Sequence, residues 1–504
     1  MNKKACFLLA LCAFYSMSLS GQNEMPDKAL LEIYKGKSHE GLLSILRHYD
    51  KPEDSLKRKA AHFLLANLPF HQSSNYFWRD SNENKVAFDE LNYADFHTSI
   101  NAFKDLQKKR GKMHPEAVVQ RDIDSVQASR LIRNIDEAFA HWNRDDTDFE
   151  TFCEYLLPYR IDVEPLQDWR QSYRTRFSKI TDPTVQSPLA DRIKLVTGNI
   201  NLWFVCTYKT EKRNEPLPRL GAMQLLHRKK GPCEDVAAVS AFALRSLGIP
   251  ATVDVVPFWA TSTGGHVLNC AFEGNKPFHY DALSLSDSLH EFIREPAKVF
   301  RTTFSAQAGS LATLLPEANI PPGVLRVSTY KDVTHEYWPV RDLSCRLNAN
   351  NKPGKIVYAC VYNGGKWRPV WWGRSGKDSV SFSNVCKGAV FLPKYYENGK
   401  LEPAGYPVAS GYQGLIELKP SPEHHRIHLK ELPGYLKFRA GKTYTLYYYD
   451  RQWNKISEQV AGPDTNEMFF DRVPKNSLLI LLPNDGEKKE RPFTITEEGE
   501  RFWW

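Results

Sequence analysis

The spacing of apolar residues changes twice along the chain, and each change marks a different kind of structure. Residues 27–182 carry apolar residues at intervals of three and four, which predicts helices. Residues 183–300 combine a helical stretch with alternating, strand-like runs. Beyond the proline-rich stretch 316–323, Val, Tyr, Trp and Thr recur between Gly, Asn and Asp turns, which predicts many strands. The helical spacing is clearest at 41–46, 59–65 and 129–140.

The strand-rich part contains an internal repeat. Each copy has a Tyr followed by a Trp, then an apolar run that ends in Pro, then an Asn-Gly or Asp-Gly turn, and the copies begin at Tyr358 and Tyr444. Any single match could arise by chance from the alternating pattern of strands, but an ordered set of matches is harder to explain in this way. The repeat predicts two β-sandwich-like modules, at 323–410 and 411–504.

These patterns together predict an α+β protein. A helical domain is expected at 22–181 and a mixed α/β core at 182–322, followed by the two β modules.

Residues 1–21 have the features of a secretory signal peptide. Two lysines precede the apolar stretch 5–15, and small residues precede a cleavage point near Gly21. The stretch is too short to span a bilayer, which disfavours a retained anchor helix. The sequence therefore predicts an exported protein, in the periplasm, at the cell surface or secreted, with no stable membrane insertion after cleavage.

Charge and cysteine content argue against several classes of partner and site. Lys and Arg number 67 against 59 Asp and Glu, a net charge of +8, and the two signs are interspersed, so a nucleic-acid partner is not expected. Seven of the nine cysteines follow the leader, an odd number that leaves at least one unpaired thiol in an oxidising compartment. No C-x-x-C pair occurs, which argues against a zinc ribbon and a thioredoxin motif.

The strongest chemical signal is the segment 230–238, with the sequence Lys-Gly-Pro-Cys-Glu-Asp-Val-Ala-Ala. Gly and Pro form a turn, acidic residues suit a first helical turn, and the apolar residues that follow supply a helical face that Gly248 ends. Cys233 is therefore predicted at a helix amino terminus, where the dipole and the unpaired N–H groups favour a thiolate. Such a thiol still needs a basic partner to act as a nucleophile.

That partner is predicted in a hairpin downstream. The strand that starts at His266 turns at Gly274-Asn275 and returns to Asp281, so Leu268 faces Asp281 and His266 lies diagonally from it on the same face. A thiol, an imidazole and a carboxylate can then converge as nucleophile, base and orienting group.

These residues resemble the transglutaminase-like superfamily. Its triad runs in the order Cys, His, Asp, and the matching segments here are Gly231–Asp235, 244–251, 265–266 and 280–281. The resemblance covers about 190–290 and implies a papain-like α/β core with Cys233, His266 and Asp281 as the triad. Family members are protein-glutamine transferases, peptidases or amidases, some without activity, and the resemblance implies no cofactor for this chain.

Departures from the family pattern shape the expected reaction. Leu268 stands where the family often has an aromatic residue, and acidic loops of the calcium-dependent animal enzymes are not visible. Family members commonly hold the oxyanion with an upstream Trp or Gln, for which Trp203 and Gln224 are the candidates. Hydrolysis or simple acyl transfer on a protein, a peptide or an amide-containing cell-wall or glycan substrate is therefore expected, rather than calcium-controlled crosslinking.

A second hypothesis is a catalytically silent exported protein whose β modules hold a glycan or a protein. Trp259, Trp371 and Trp372 could contact a substrate or a glycan, although Trp residues in β modules more often pack the core. The histidines at 424, 425 and 428 lack a recognised ligand spacing and are expected in an exposed loop, so no metal site is predicted. Cys270 is expected in the core, and the oligomeric state is left open.

Overall fold

The computed structural model describes residues 27–35, 39–180, 187–207, 219–283, 292, 294–348, 353–432, 436–484 and 490–504. The predicted signal peptide at 1–21 lies outside these residues. Among the described helices, none combines the length and the apolar character needed to cross a membrane.

Helices dominate the amino-terminal part, as the apolar spacing predicts. In the helix Ala128–Phe139, the residues Leu131, Ile135 and Ala138 recur on one face and are buried in a shared core. That core also takes in the helix Ser55–Asn67 and the π-helical turn Phe152–Leu156. The helices here are α1 (Asp27–Ile33), α2 (Ser44–His48), α3 (Ser55–Asn67), α4 (Phe96–Arg110), α5 (Asp122–Ser125), α6 (Ala128–Phe139), α7 (Phe149–Thr151) and α8 (Arg170–Phe177).

The helical pattern did not predict the three-stranded antiparallel sheet in this region. It is built from β1 (Gln72–Arg79), β2 (Lys85–Val86) and β3 (His114–Arg121), in the order β2-β1-β3. β1 and β3 pair along their full length, with α4 between them in the chain. Their side chains are mostly polar and half-buried or exposed, so the alternation that marks a strand is weak.

The central part consists of helices packed on a five-stranded sheet in the order β10-β9-β6-β7-β8. Its helices are α9 (Leu189–Trp203), α10 (Ala222–Arg228) and α11 (Cys233–Ser246). Its strands are β4 (Val205–Cys206), β5 (Lys230–Gly231), β6 (Ala251–Val256), β7 (His266–Glu273), β8 (Lys276–Tyr280), β9 (Phe300–Thr302) and β10 (Tyr330–Asp332), of which β4 and β5 form a separate parallel pair. Two short helices follow in the connecting region, α12 (Leu311–Leu314) and α13 (Thr334–Tyr337).

The carboxy-terminal part repeats one arrangement of strands. A two-stranded sheet, β11-β14, shares a core with the sheet β13-β12-β15-β17-β18, and β19-β22 likewise packs with β21-β20-β23-β24-β25. Each copy has two register shifts, and they fall at matching positions. One is in β11 of the first copy and β19 of the second, and the other is in β12 and β20. The strands are β11 (Val340–Arg346), β12 (Ile356–Asn363), β13 (Lys366–Arg374), β14 (Ser379–Cys386), β15 (Ala389–Glu397), β16 (Lys400–Pro403), β17 (Val408–Ser410), β18 (Leu415–Glu417), β19 (His424–Lys430), β20 (Thr443–Asp450), β21 (Gln452–Val460), β22 (Glu467–Pro474), β23 (Leu479–Pro483), β24 (Phe493–Ile495) and β25 (Arg501–Trp503).

The architecture is α+β, as predicted, while the exact domain bounds at 181, 322 and 410 stay predictions. The amino-terminal sheet packs into the central part, because Trp78, Val86 and Met113 share one core with α9, α10 and α11. Lys298 connects the central part to the first β module by donating to the carbonyl oxygens of Ser383 and Asn384, at 2.9 and 3.0 Å.

Two further predictions concern the histidines at 424, 425 and 428 and the burial of Cys270. The histidines at 424, 425 and 428 lie in β19 rather than in an exposed loop, because β19 pairs with β22 along its length. His428 Nε2 is 2.8 Å from Glu467 Oε2, and its ring stacks on Phe469. Cys270 is fully buried beside Tyr155 and Phe272, and burial raises the pKa of its thiol well above the usual range.

Candidate active site

Cys233 is the first residue of α11, directly after Pro232. The helix follows from its sequence: Val236, Ala237 and the later apolar residues are buried, and Gly248, with φ of +82°, lets the chain leave the helix. The thiol is 5% exposed and stands at the positive end of the helix dipole.

Gly231 is required by packing at the start of this helix. A Cβ at Gly231 would lie 2.0 Å from Asp235 Oδ2 and 2.6 Å from Asp235 Cβ, so any side chain there would displace Asp235. Asp235 belongs to the first turn of α11 and is itself buried. The glycine therefore allows the chain to pass under the turn that carries Cys233.

The hairpin of β7 and β8 brings His266 and Asp281 together. The turn pairs Glu273 with Lys276, with Gly274 at φ of +63°, and this register extends to the pair Asn269 and Tyr280. His266 Nε2 lies 2.8 Å from Asp281 Oδ2. Asp281 Oδ1 accepts a hydrogen bond from the backbone N–H of Leu283 at 2.9 Å, so both carboxylate oxygens are held.

Two side-chain hydrogen bonds fix this hairpin against α11. Asn269 Nδ2 donates to the carbonyl oxygen of Ala237 at 2.8 Å, and the hydroxyls of Ser240 and Tyr280 lie 2.9 Å apart. They set the helix start relative to β7, and nothing in the spacing of the triad residues pointed to them.

His266 interacts with both other residues of the candidate triad, Cys233 and Asp281. Its burial lowers its pKa, but hydrogen bonds and charge interactions with Asp281 and Cys233 outweigh burial and raise the pKa to about 9. Because Nε2 faces Asp281, Nδ1 is the ring nitrogen left to face the thiol. Cys233 Sγ also lies 3.3 Å from Oε2 of the adjacent Glu234. The ring therefore lies between the Cys233 thiol and the Asp281 carboxylate.

The two oxyanion candidates have their polar groups engaged elsewhere. Trp203 Nε1 donates to Asn199 Oδ1 in its own helix at 3.1 Å. Gln224 is buried; its Nε2 donates to Glu90 Oε1 and to the Tyr76 hydroxyl, at 3.0 and 3.2 Å. Their role as oxyanion donors stays a prediction. In that role each N–H group would have to leave its present acceptor and point to the oxyanion.

The three tryptophan candidates fall in two places. The Trp259 ring is stacked 6.3 Å from the His266 ring, so it belongs to the neighbourhood of the candidate triad. Trp371 and Trp372 lie on β13 in the first β module, where Lys298 Nζ sits 4.1 Å above the Trp371 ring. Both are half-buried against the connecting region, and the structure does not bring them to Cys233.

A second cluster of Cys, His and carboxylate lies on the same sheet. Asp254, Cys270 and His279 are close enough to hold a metal ion. The position of a cation is instead taken by Arg301, whose guanidinium donates to Asp254 Oδ1 and Oδ2 at 3.0 and 2.8 Å. Arg301 also donates to Glu336 at 2.8 Å, so the cluster is a buried ion-pair network rather than a metal site.

The central part of the chain is similar to a known family. The sequence model of the Transglutaminase-like superfamily matches residues 182–282. A comparison with curated proteins gives no significant match.

Two solved structures show some similarity. A protein from Cytophaga hutchinsonii described as a candidate cysteine protease is 16% identical over 23% of this chain and 37% of its own, with a TM-score of 0.18. Red sea bream transglutaminase is 10% identical over 84% of this chain and 76% of its own, with a TM-score of 0.24. The chain thus matches little more than a third of the length of the first structure. The family match thus shows that residues 182–282 are similar to the transglutaminase-like superfamily.

Proposed function

We propose that this protein is an exported cysteine acyl-transfer enzyme that acts on amide bonds through Cys233, His266 and Asp281. The observation that carries the proposal is His266, which contacts the thiol on one side and Asp281 Oδ2, at 2.8 Å, on the other. A thiol at a helix start, paired with an oriented imidazole, is the arrangement an activated cysteine needs.

The reaction follows from this geometry. The Cys233 thiolate attacks the amide carbonyl, and a backbone N–H at the helix start stabilises the oxyanion. The His266 imidazolium gives its proton to the leaving amine as the C–N bond breaks and a thioester remains. Water or an acceptor amine, deprotonated by the neutral imidazole, then attacks the thioester and releases the acid or the new amide. Asp281 holds the imidazole orientation and stabilises its charge.

The test is site-specific alkylation. At neutral pH, iodoacetamide should modify Cys233 faster than the half-exposed Cys206, as mapped by mass spectrometry. His266→Ala should slow modification of Cys233 by about 100-fold, the effect of losing a positioned base, and leave Cys206 unchanged. Equal rates at Cys233 in the two proteins would contradict the proposal.

Turnover separates hydrolysis from transfer. Release of ammonia from amine-free, glutamine-containing peptides with blocked amino groups reports hydrolysis, because no acceptor amine is present. Incorporation of a fluorescent primary amine into dimethylcasein reports transfer. Cys233→Ala should abolish both, while Cys206→Ala should retain them. The leader at 1–21 supports action outside the cytoplasm, which fractionation of cells that express the full chain would test.

A further inference from the structure

A cavity of about 720 Å³ lies beside the nucleophile helix. One wall is the first half of α11 and the strands β6, β7 and β9, and the other is the connecting region 312–330. The amino-terminal segments 70–72 and 161–164 close it. The cavity is thus enclosed by segments that are far apart in the chain.

The cavity reaches the proposed reaction centre through Glu234. This carboxylate lines the cavity and also lies 3.3 Å from Cys233 Sγ. Next to it the wall is apolar, formed by Ala238, Val255 and Val267. A group bound against this wall would therefore lie beside Glu234, the carboxylate that contacts the sulfur.

Among the described residues that line the cavity, carboxylates outnumber guanidinium groups. The carboxylates are Asp162, Glu164, Glu234, Asp235 and Glu317, and the guanidinium groups are Arg219 and Arg326.

Each of the two guanidinium groups donates to one of these carboxylates. Arg219 donates to Asp162 at 3.0 Å, and Arg326 donates to Glu317 at 3.1 Å. Glu164 is stabilised by two backbone N–H groups, at 2.7 and 2.8 Å. Glu234 also interacts with the charge of Arg219, so Asp162 and Glu234 share one guanidinium group. Among the described residues, the carboxylate beside Cys233 Sγ therefore has no cation of its own.

We propose that the substrate is an amide that carries an ammonium group within a few bonds of the attacked carbonyl, with an apolar side chain in the cavity. The inference rests on the proposed function and adds its substrate class. The ammonium pairs with Glu234, and the apolar part packs on Ala238 and Val267. A free α-amine and a lysine-type side chain share this chemistry.

Charged thiol reagents test the ammonium site without a known substrate. Trimethylammonioethyl and sulfonatoethyl methanethiosulfonates form a disulfide with the thiolate and release methanesulfinate, and they differ in charge. For Cys233 the ratio of cation to anion rate constants, relative to 2-mercaptoethanol, should be at least about tenfold, from a partly screened charge pair. Glu234→Gln should bring the ratio close to that of the free thiol.

Glu317→Gln is the matched control, because it removes another carboxylate of the same cavity, one that accepts from Arg326 on the opposite wall. It should leave the ratio unchanged. A wild-type ratio equal to that of 2-mercaptoethanol, or an equal effect of both substitutions, would overturn the inference. Slow labelling of Cys233 that does not respond to His266→Ala would instead overturn the proposed function.

The apolar part has its own test. Benzyl methanethiosulfonate should label Cys233 faster than the methyl reagent, by more than the difference seen with 2-mercaptoethanol, because the ring can enter the cavity. Ala238→Phe fills that space and should remove the benzyl advantage by about tenfold while the methyl rate stays the same. A benzyl advantage that survives Ala238→Phe would rule out the cavity as the binding place.

Discussion

At the scale of single residues, the raised pKa of His266 predicts a pH profile. Its hydrogen bonds with Asp281 and Cys233 hold the pKa at about 9, against an ordinary value of 6.5, so the ring is an imidazolium at neutral pH. Amide turnover needs this proton for the leaving amine and should fall as pH rises through about 9. Alkylation of Cys233 by iodoacetamide, which needs no such proton, should not fall over the same range.

Asp281→Asn is the matched variant for this profile. Without the carboxylate charge, the alkaline fall in turnover should move toward the ordinary histidine value, by about one pH unit or more. The raised pKa of His266 also predicts how stability depends on pH. A histidine whose pKa is raised by folding stabilises the fold below its unfolded pKa, so this contribution should disappear as pH rises through about 9. An alkaline limb at the same pH in both proteins would contradict the assigned role of Asp281.

The candidate triad could be predicted at this scale because its signals are local. A turn before Cys233 and a two-residue turn after Glu273 determine where the thiol and the imidazole stand. The hydrogen bonds of Gln224 could not be predicted, because Glu90 and Tyr76 reach its side chain only through the tertiary fold. The partner of Trp203, Asn199, lies one turn earlier in the same helix.

At the scale of elements, the start of α11 depends on Gly231. Gly231→Ala would force Asp235 and the first helical turn to move, at a cost of about 1–3 kcal/mol for an overpacked site. We expect turnover to fall by more than tenfold, since a shift of about 1 Å at a nucleophile can cost about 100-fold. Urea unfolding and turnover on the same protein would measure both effects.

Gly309→Ala is the control for that substitution. A Cβ at Gly309 meets no atom within 4 Å, so stability should change by less than about 0.5 kcal/mol and turnover should be retained. Full activity of Gly231→Ala would show that the turn tolerates a side chain and that its packing does not position the thiol.

Elements were predicted well where one periodicity ran through them and poorly where pairing was distant. α6 and the β7–β8 hairpin follow from their own sequences. β1 and β3 do not, because they pair across α4 and their polar, half-buried side chains give little alternation. The cavity could not be predicted from the sequence either, because its walls come from segments that are far apart in the chain, between residues 70 and 330.

At the scale of the whole molecule, the first β module contacts the loop that leads into His266. Asn363, a buried residue at the end of β12, donates from Nδ2 to the carbonyl oxygens of Trp259, Ser262 and Gly264, at 2.9, 2.8 and 2.9 Å. Its Oδ1 accepts from the Gly264 N–H at 3.1 Å. One amide of the β module therefore fixes the conformation of the loop 259–264, two residues before the candidate base.

This contact predicts that the β module contributes to catalysis through the position of His266. Asn363→Leu keeps the branch at Cγ but leaves the loop carbonyls without their donor, which should cost about 1–3 kcal/mol of unfolding free energy in urea. Turnover should fall by about tenfold or more, and the iodoacetamide rate at Cys233 should fall with it, because the imidazole is no longer held against the thiol. Asn348→Leu, an exposed amide of the same module that donates to Pro403 O at 3.5 Å, should change neither. Loss of stability in Asn363→Leu with an unchanged alkylation rate would mean that the module supports the fold alone, since a purely structural role would not alter the reactivity of the thiol.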